Sequence, residues 1–117
     1  MNYVIVPTEF FDRQVKKLAK KYRSFIDDLE ALKKELLNNP MSGDDLGDNT
    51  RKVRMAIASK GKGKSGGARV IMCNVLIDIV NTDIYLLTIY DKGKKDSISK
   101  KDIQHLKTIA GLVDSDN

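Results

Sequence analysis

The chain has 117 residues, 41% of them hydrophobic, with 21 Lys and Arg against 16 Asp and Glu. That length holds one domain, residues 1–117, and the apolar fraction excludes wholesale disorder, while the lack of any run of 18 apolar residues excludes a membrane-spanning helix and with it a membrane partner. The single cysteine, Cys73, cannot form an internal disulfide and with the single histidine, His105, cannot build a zinc site of the usual kind; no metal or organic cofactor is expected. The N-terminus shows no secretory signal, so the expected compartment is a reducing cytoplasm.

Asn2 to Val6 reads as a short strand stopped by Pro7. Thr8 suits a helix N-cap, with Glu9 in the first turn, and Phe11, Val15, Leu18, Ala19 and Tyr22 recur at helical spacing. A second helix is predicted from about Ser24 to Asn38, with Ile26, Leu29, Leu32, Leu36 and Leu37 as its stripe and Asn39-Pro40 as its stop. The two helices are expected to form an antiparallel hairpin. Met41 to Asn49 reads as a polar loop, after which the period changes to two: Arg51, Val53, Met55 and Ile57 point one way, Lys52, Arg54 and Ala56 the other. Ser59 to Gly67 reads as a Gly/Lys loop, Ala68 to Val80 as a long strand-forming run, Asn81-Thr82-Asp83 as a turn and Ile84 to Tyr90 as a further strand. Asp91 to Ile98 is a polar connection. Ser99 and Asp102 open a last helix with Ile103, Leu106, Ile109 or Ala110, and Val113 on one side, and the tail Asp114 to Asn117 is expected to fray. The order β–α–α–β–β–β–α points to the α+β class: an N-terminal strand and helix hairpin on an antiparallel sheet, with a C-terminal helix. Helices on one face would leave the other to Lys52, Arg54, Arg69, Thr88 and Tyr90.

The charge is concentrated. Residues 1–50 and 70–117 each sum to −1, whereas residues 51–69 hold seven basic residues and no acid: Arg51, Lys52, Arg54, Lys60, Lys62, Lys64 and Arg69. Such a stretch repels itself unless something anionic binds, so it reads either as a solvated basic loop or as a polyanion site, nucleic acid above all. Ala58 to Ser65 superficially matches a phosphate loop ending in Gly63-Lys64-Ser65. That loop works by aiming a helix N-terminus at phosphate, and here Gly66-Gly67 and a strand follow instead. Cys73 reads as a small buried residue and His105, off the apolar stripe, as an exposed one.

Arg51-Lys52-Val53-Arg54, the run from Ser59 to Ile71 (SKGKGKSGGARVI) and Tyr85 to Lys92 (YLLTIYDK) follow a helix hairpin in this order. Over residues 50–92 this resembles the HigB-like branch of the RelE/ParE toxin superfamily. The resemblance implies a RelE-like fold and a bacterial toxin of a type II toxin–antitoxin pair, with a cognate antitoxin as partner. Members on the RelE side cleave mRNA in the ribosomal A site, making ribosome and mRNA the further partners; members on the ParE side inhibit DNA gyrase. A nucleic-acid-binding module without cleavage is the third reading. By position, the resemblance makes Arg69 the sheet arginine on the scissile phosphate, and Lys52 and Arg54 groups for phosphate binding or acid–base work. It makes Tyr90 a residue that stacks on a base or orients the 2′-OH. Lys92 lies near a catalytic arginine of some relatives, where lysine cannot make the bidentate contact. Arg51, Lys60, Lys62 and Lys64 would bind RNA backbone, with one loop lysine entering the site.

Overall fold

The computed structural model describes residues 1–95 and 97–112. Strand β1 (Asn2–Pro7) leads into helices α1 (Glu9–Lys21) and α2 (Phe25–Asn38). Strands β2 (Asp44–Gly47) and β3 (Thr50–Met55), a 3₁₀ turn at Ala58–Lys60, β4 (Ala68–Leu76), β5 (Asn81–Asp91) and α3 (Lys100–Ile109) follow. Thr8 caps α1 by accepting from the Phe11 N–H at 3.2 Å, and its hydroxyl also donates to the Leu86 carbonyl at 2.9 Å, which pins the helix start to β5. Ser99 caps α3 by accepting from the Asp102 N–H.

The sheet runs β1-β5-β4-β3-β2. Its three other pairs are antiparallel, but β1 lies parallel to β5, against the expectation of a wholly antiparallel sheet. Two helices follow β1, so no hairpin dictates its direction, and it joins the free edge of β5. The helices also occupy both faces rather than one. Phe11, Phe25, Leu29, Leu32 and Leu36 of α1 and α2 pack on Val53, Met55, Val70, Met72, Ile84, Leu86 and Ile89. Ile103 and Leu106 of α3 pack on Ile71, Cys73, Leu87 and Tyr90 on the opposite side. The cause is the unbroken apolar run Val70 to Cys73, which alternates to both faces and needs cover on each.

Three local readings are corrected. The supposed loop 41–49 contains β2, which is held by a tight turn with Asp48 and Asn49 both left-handed (φ 51° and 58°) and by Arg51, whose guanidinium donates to the Ser42 and Gly43 carbonyls at 2.8 Å each. The hairpin between β4 and β5 turns at residues 77–80, not 81–83, because the Asp78 carboxylate accepts the N–H groups of Val80 and Asn81 at 2.9 Å. On the helices, Ile26, Leu37 and Ile109 are exposed, while Phe25 and Lys107 are buried instead. Lys107 threads its stem under α3 and donates to the Asp48 carbonyl at 3.4 Å. Val113 and the tail lie outside the described residues.

Gly67 marks the tightest approach of the site loop to the sheet: a Cβ there would sit 2.0 Å from the Met55 carbonyl oxygen. Gly67→Ala is therefore expected to cost about 2 kcal/mol or more of stability, read from urea unfolding, because two backbones would have to separate.

Candidate nucleic-acid interface

The strand register builds the site. Arg54 stands opposite Arg69, and Arg69 opposite Tyr90, so three strands place these side chains in one row on the face that α3 shares. The next row on that face is Lys52, Ile71 and Thr88, and the next begins Thr50, Cys73, Tyr85. Helix α3 covers Ile71 and Cys73. What it leaves open is the cationic end: Arg54 exposed, Lys52 half-buried, and the side chains of both without a hydrogen bond or ion pair among the described residues. Like charges directly opposite, as at Arg54 and Arg69, disfavour the empty state and favour an anion between them.

Arg69 is 5% exposed. Its guanidinium donates to the carbonyls of Lys64 (2.9 Å), Ser65 (3.0 Å) and Ala68 (3.1 Å), and no carboxylate pairs with it among the described residues. It therefore shapes the loop that precedes β4 and carries its full charge into the sheet face. Three of its five N–H donors are used, leaving two for another acceptor. Beside it, the Tyr90 hydroxyl is buried with no hydrogen-bond partner among the described residues. Burial raises the Tyr90 pKa and the Arg69 charge draws it back, so the phenol is protonated at neutral pH and able both to donate and to accept.

The remaining candidates separate. Lys60 does not stand with the row. It lies on the α1/α2 side, its ammonium 2.8 Å from Asp91 Oδ1. Asp91, 3% exposed, also accepts from the Tyr22 hydroxyl and from the Gly93 N–H at 2.9 Å, with Lys21 at 3.9 Å. Burial pushes the Asp91 carboxyl up, but the hydrogen bonds from Lys60, Tyr22 and Gly93 and the Lys60 charge outweigh it and hold the pKa at about 2. The same contact raises Lys60 and Tyr22 above their ordinary values. Next to Lys60, the Ser59 and Ala58 N–H groups bond Ser24 Oγ (2.9 Å) and Asp28 Oδ2 (3.0 Å), fastening the loop's start to α2. Lys64 reaches Glu35 of α2 at 3.8 Å, Arg51 holds the 42–43 turn, and Lys62 is exposed at the loop tip. Lys92 follows β5, half-buried, its N–H bonded to the Gly67 carbonyl at 3.0 Å. Cys73 is buried and His105 exposed, as the sequence indicated. The sequence reading did not find Asp91 and Tyr22 as the anchor of the loop; the signal available was the lone acid inside Tyr90-Asp91-Lys92. Among the described residues no cluster of His, Cys, Asp and Glu could hold a metal ion, and no helix is long and apolar enough to cross a membrane.

A mixed sheet with a helix hairpin on one face and a single helix on the other carries a cationic row at the end that α3 leaves open. Residues 8–116 match the family described as the RelE toxin of the RelE/RelB toxin–antitoxin system, and the chain belongs to that family. An antitoxin partner follows from membership. Among solved structures the chain resembles E. coli toxin RelE, a double arginine-to-alanine mutant in the free state, with a TM-score of 0.54 at 16% identity, covering 82% of this chain and 90% of that one. At that identity the likeness speaks for the fold.

Asp91 ties acid stability to the loop. Its carboxyl sits at about 2 folded against 3.8 ordinarily, so the stabilisation is complete above pH 4 and is lost as pH falls through about 2. Urea unfolding followed against pH should show roughly 2 kcal/mol lost across that window, and Asp91→Asn should flatten the slope there.

Proposed function

We propose that this RelE-family toxin, of the HigB-like branch, is an endoribonuclease that cuts mRNA in the ribosomal A site and so stops translation. The observation that carries the reading is the row Arg54–Arg69–Tyr90, with Lys52 beside it, at the open end of a sheet face where no carboxylate among the described residues pairs with these cations. RNA supplies its own nucleophile: the 2′-OH attacks the adjacent phosphate, the phosphorane-like transition state gains negative charge, and the 5′-oxygen leaves with a proton. Arg54 and Arg69 stabilise the charge on the phosphate oxygens. Lys52, one register step away, is placed to move a proton or to hold a second oxygen. The protonated phenol of Tyr90 orients the 2′-OH or donates to the leaving oxygen. Lys62 and Lys64 hold the backbone outside the site, Lys92 completes the cationic rim, and Lys60 and Arg51 act by keeping the loop and the β2 turn in place. The cognate antitoxin neutralises the toxin by covering this face or by adding bulk that prevents ribosome entry.

Mapping 5′ ends of cellular mRNA after brief induction tests this. The parent chain should give in-frame cuts within translated regions, and Arg54→Ala or Lys52→Ala, both at solvent-reached positions, should reduce them by roughly tenfold or more without lowering the unfolding midpoint. Growth arrest with double-strand DNA breaks and intact mRNA would instead select gyrase as the target and overturn the reading.

A further inference from the structure

The cationic row ends in a cleft that none of the site residues except Tyr90 helps to build. Strand β1 pairs with β5 only as far as Leu86, so beyond it the edge of β5 is open. There α1 and α3 approach from either side and leave a space of ≈ 300 Å³ lined by Phe10, Gln14, Thr88, Tyr90, Asp102 and His105. We propose that this cleft binds one nucleobase of the RNA whose phosphate lies on Arg54 and Arg69, and that it prefers a base bearing an exocyclic amino group. The inference rests on the endoribonuclease reading for its substrate.

Four observations carry it. First, Tyr90 is 9% exposed, lines the cleft, and its hydroxyl has no partner among the described residues. A buried hydroxyl without a partner is costly, and a ligand edge would satisfy it. Second, the side chains of Gln14, Asp102 and His105 make no hydrogen bond among the described residues, so their polar atoms are open to a ligand. Third, the chemistry selects a base over a phosphate. The cleft has an aromatic wall in Phe10 and no arginine, and its lining offsets the Lys95 ammonium with the Asp102 carboxylate, so it holds no excess of cations for a phosphate, whereas a planar heterocycle stacks on aromatic rings and presents donors to a carboxylate. Fourth, Tyr90 stands opposite Arg69 in the strand register and also lines the cleft, so one residue borders both the cationic row and the cleft.

The amino preference follows from donor and acceptor counting. Asp102 only accepts, whereas Gln14 both donates and accepts. Adenine, cytosine and guanine each offer an amino N–H to the carboxylate. Uracil has no amino group; its one base-edge donor, N3–H, lies between two carbonyl oxygens, so a contact to Asp102 brings an oxygen against the carboxylate.

Titration of the ¹⁵N-labelled chain with AMP, CMP, GMP and UMP, followed by NMR, tests the cleft separately from cleavage. AMP, CMP and GMP should shift Gln14, Asp102 and His105, and UMP should do so about fivefold more weakly or worse. Gln14→Ala and Asp102→Asn, both at positions that bear no core contact, should weaken AMP binding and abolish the preference over UMP. Shifts confined to Lys52 and Arg54, equal for all four nucleotides and reproduced by inorganic phosphate, would overturn the base site while leaving the endoribonuclease reading standing. Cleft shifts from a chain that cuts no mRNA in cells would uphold the base site and overturn the nuclease. In the mapping experiment the same two variants should still produce cuts, with the nucleotide preference at one position flattened.

Discussion

A guanidinium buried in a sheet, with no acid among the described residues to neutralise it, is the constraint on which the site depends. Arg69 solves the problem by donating to three backbone carbonyls, two of them in the Gly/Lys loop. Carbonyls satisfy hydrogen bonds without cancelling charge, so the loop is given its shape and the face keeps its positive potential. A carboxylate in the same place would have stabilised the arginine better and removed the reason for an anion to bind. The neighbouring Arg54 adds like-charge repulsion across the strand pair, a cost to the free protein that a bound phosphate offsets.

The opposite arrangement holds on the other side of the sheet. There one carboxylate, Asp91, gathers Lys60, Lys21, the Tyr22 hydroxyl and a backbone N–H. The loop is thus fastened at its start by an ion pair on the α1/α2 side and at its end by a guanidinium on the α3 side. Two consecutive residues of β5, Tyr90 and Asp91, point to opposite faces and separate a site with free charge from an anchor with paired charge.

Much of this was legible in the sequence, for identifiable reasons. The caps Thr8 and Ser99, the helix stripe from Phe11 to Tyr22 and the change to period two at Arg51 are local signals, and local geometry obeyed them. The parallel direction of β1 and the second helical face were not, because both are decided by which edge and which face remain uncovered once the other elements have packed. The acid-free stretch from Arg51 to Arg69 was read as seven equivalent cations. In space it is divided, since Glu35, Asp45 and Asp91 arrive from elsewhere in the chain to pair with Lys64, Arg51 and Lys60. Lys52, Arg54, Lys62 and the carbonyl-bound Arg69 are what remains without an acid among the described residues.

Tyr90 was placed with Arg69 from the sequence, but the irregularity that allows it was not legible there. Strict alternation along β5 would put Ile84, Leu86, Thr88 and Tyr90 on a single face, and Ile84 and Leu86 belong to the α1/α2 core. Tyr90 would then be buried away from Arg69. The register instead slips at Leu87: Ile71 pairs with Thr88 but Met72 pairs with Leu86, leaving Leu87 as an extra residue. After the slip Ile89 joins the α1/α2 core while Tyr90 crosses to the α3 face and stands against Arg69. The bulge falls where β1 ends and Thr8 bonds the Leu86 carbonyl, so the helix start that opens the cleft and the strand defect that aims the tyrosine occupy the same turn of chain. One irregularity in an otherwise regular strand therefore sets both the composition of the cationic row and its access to the cleft beyond it.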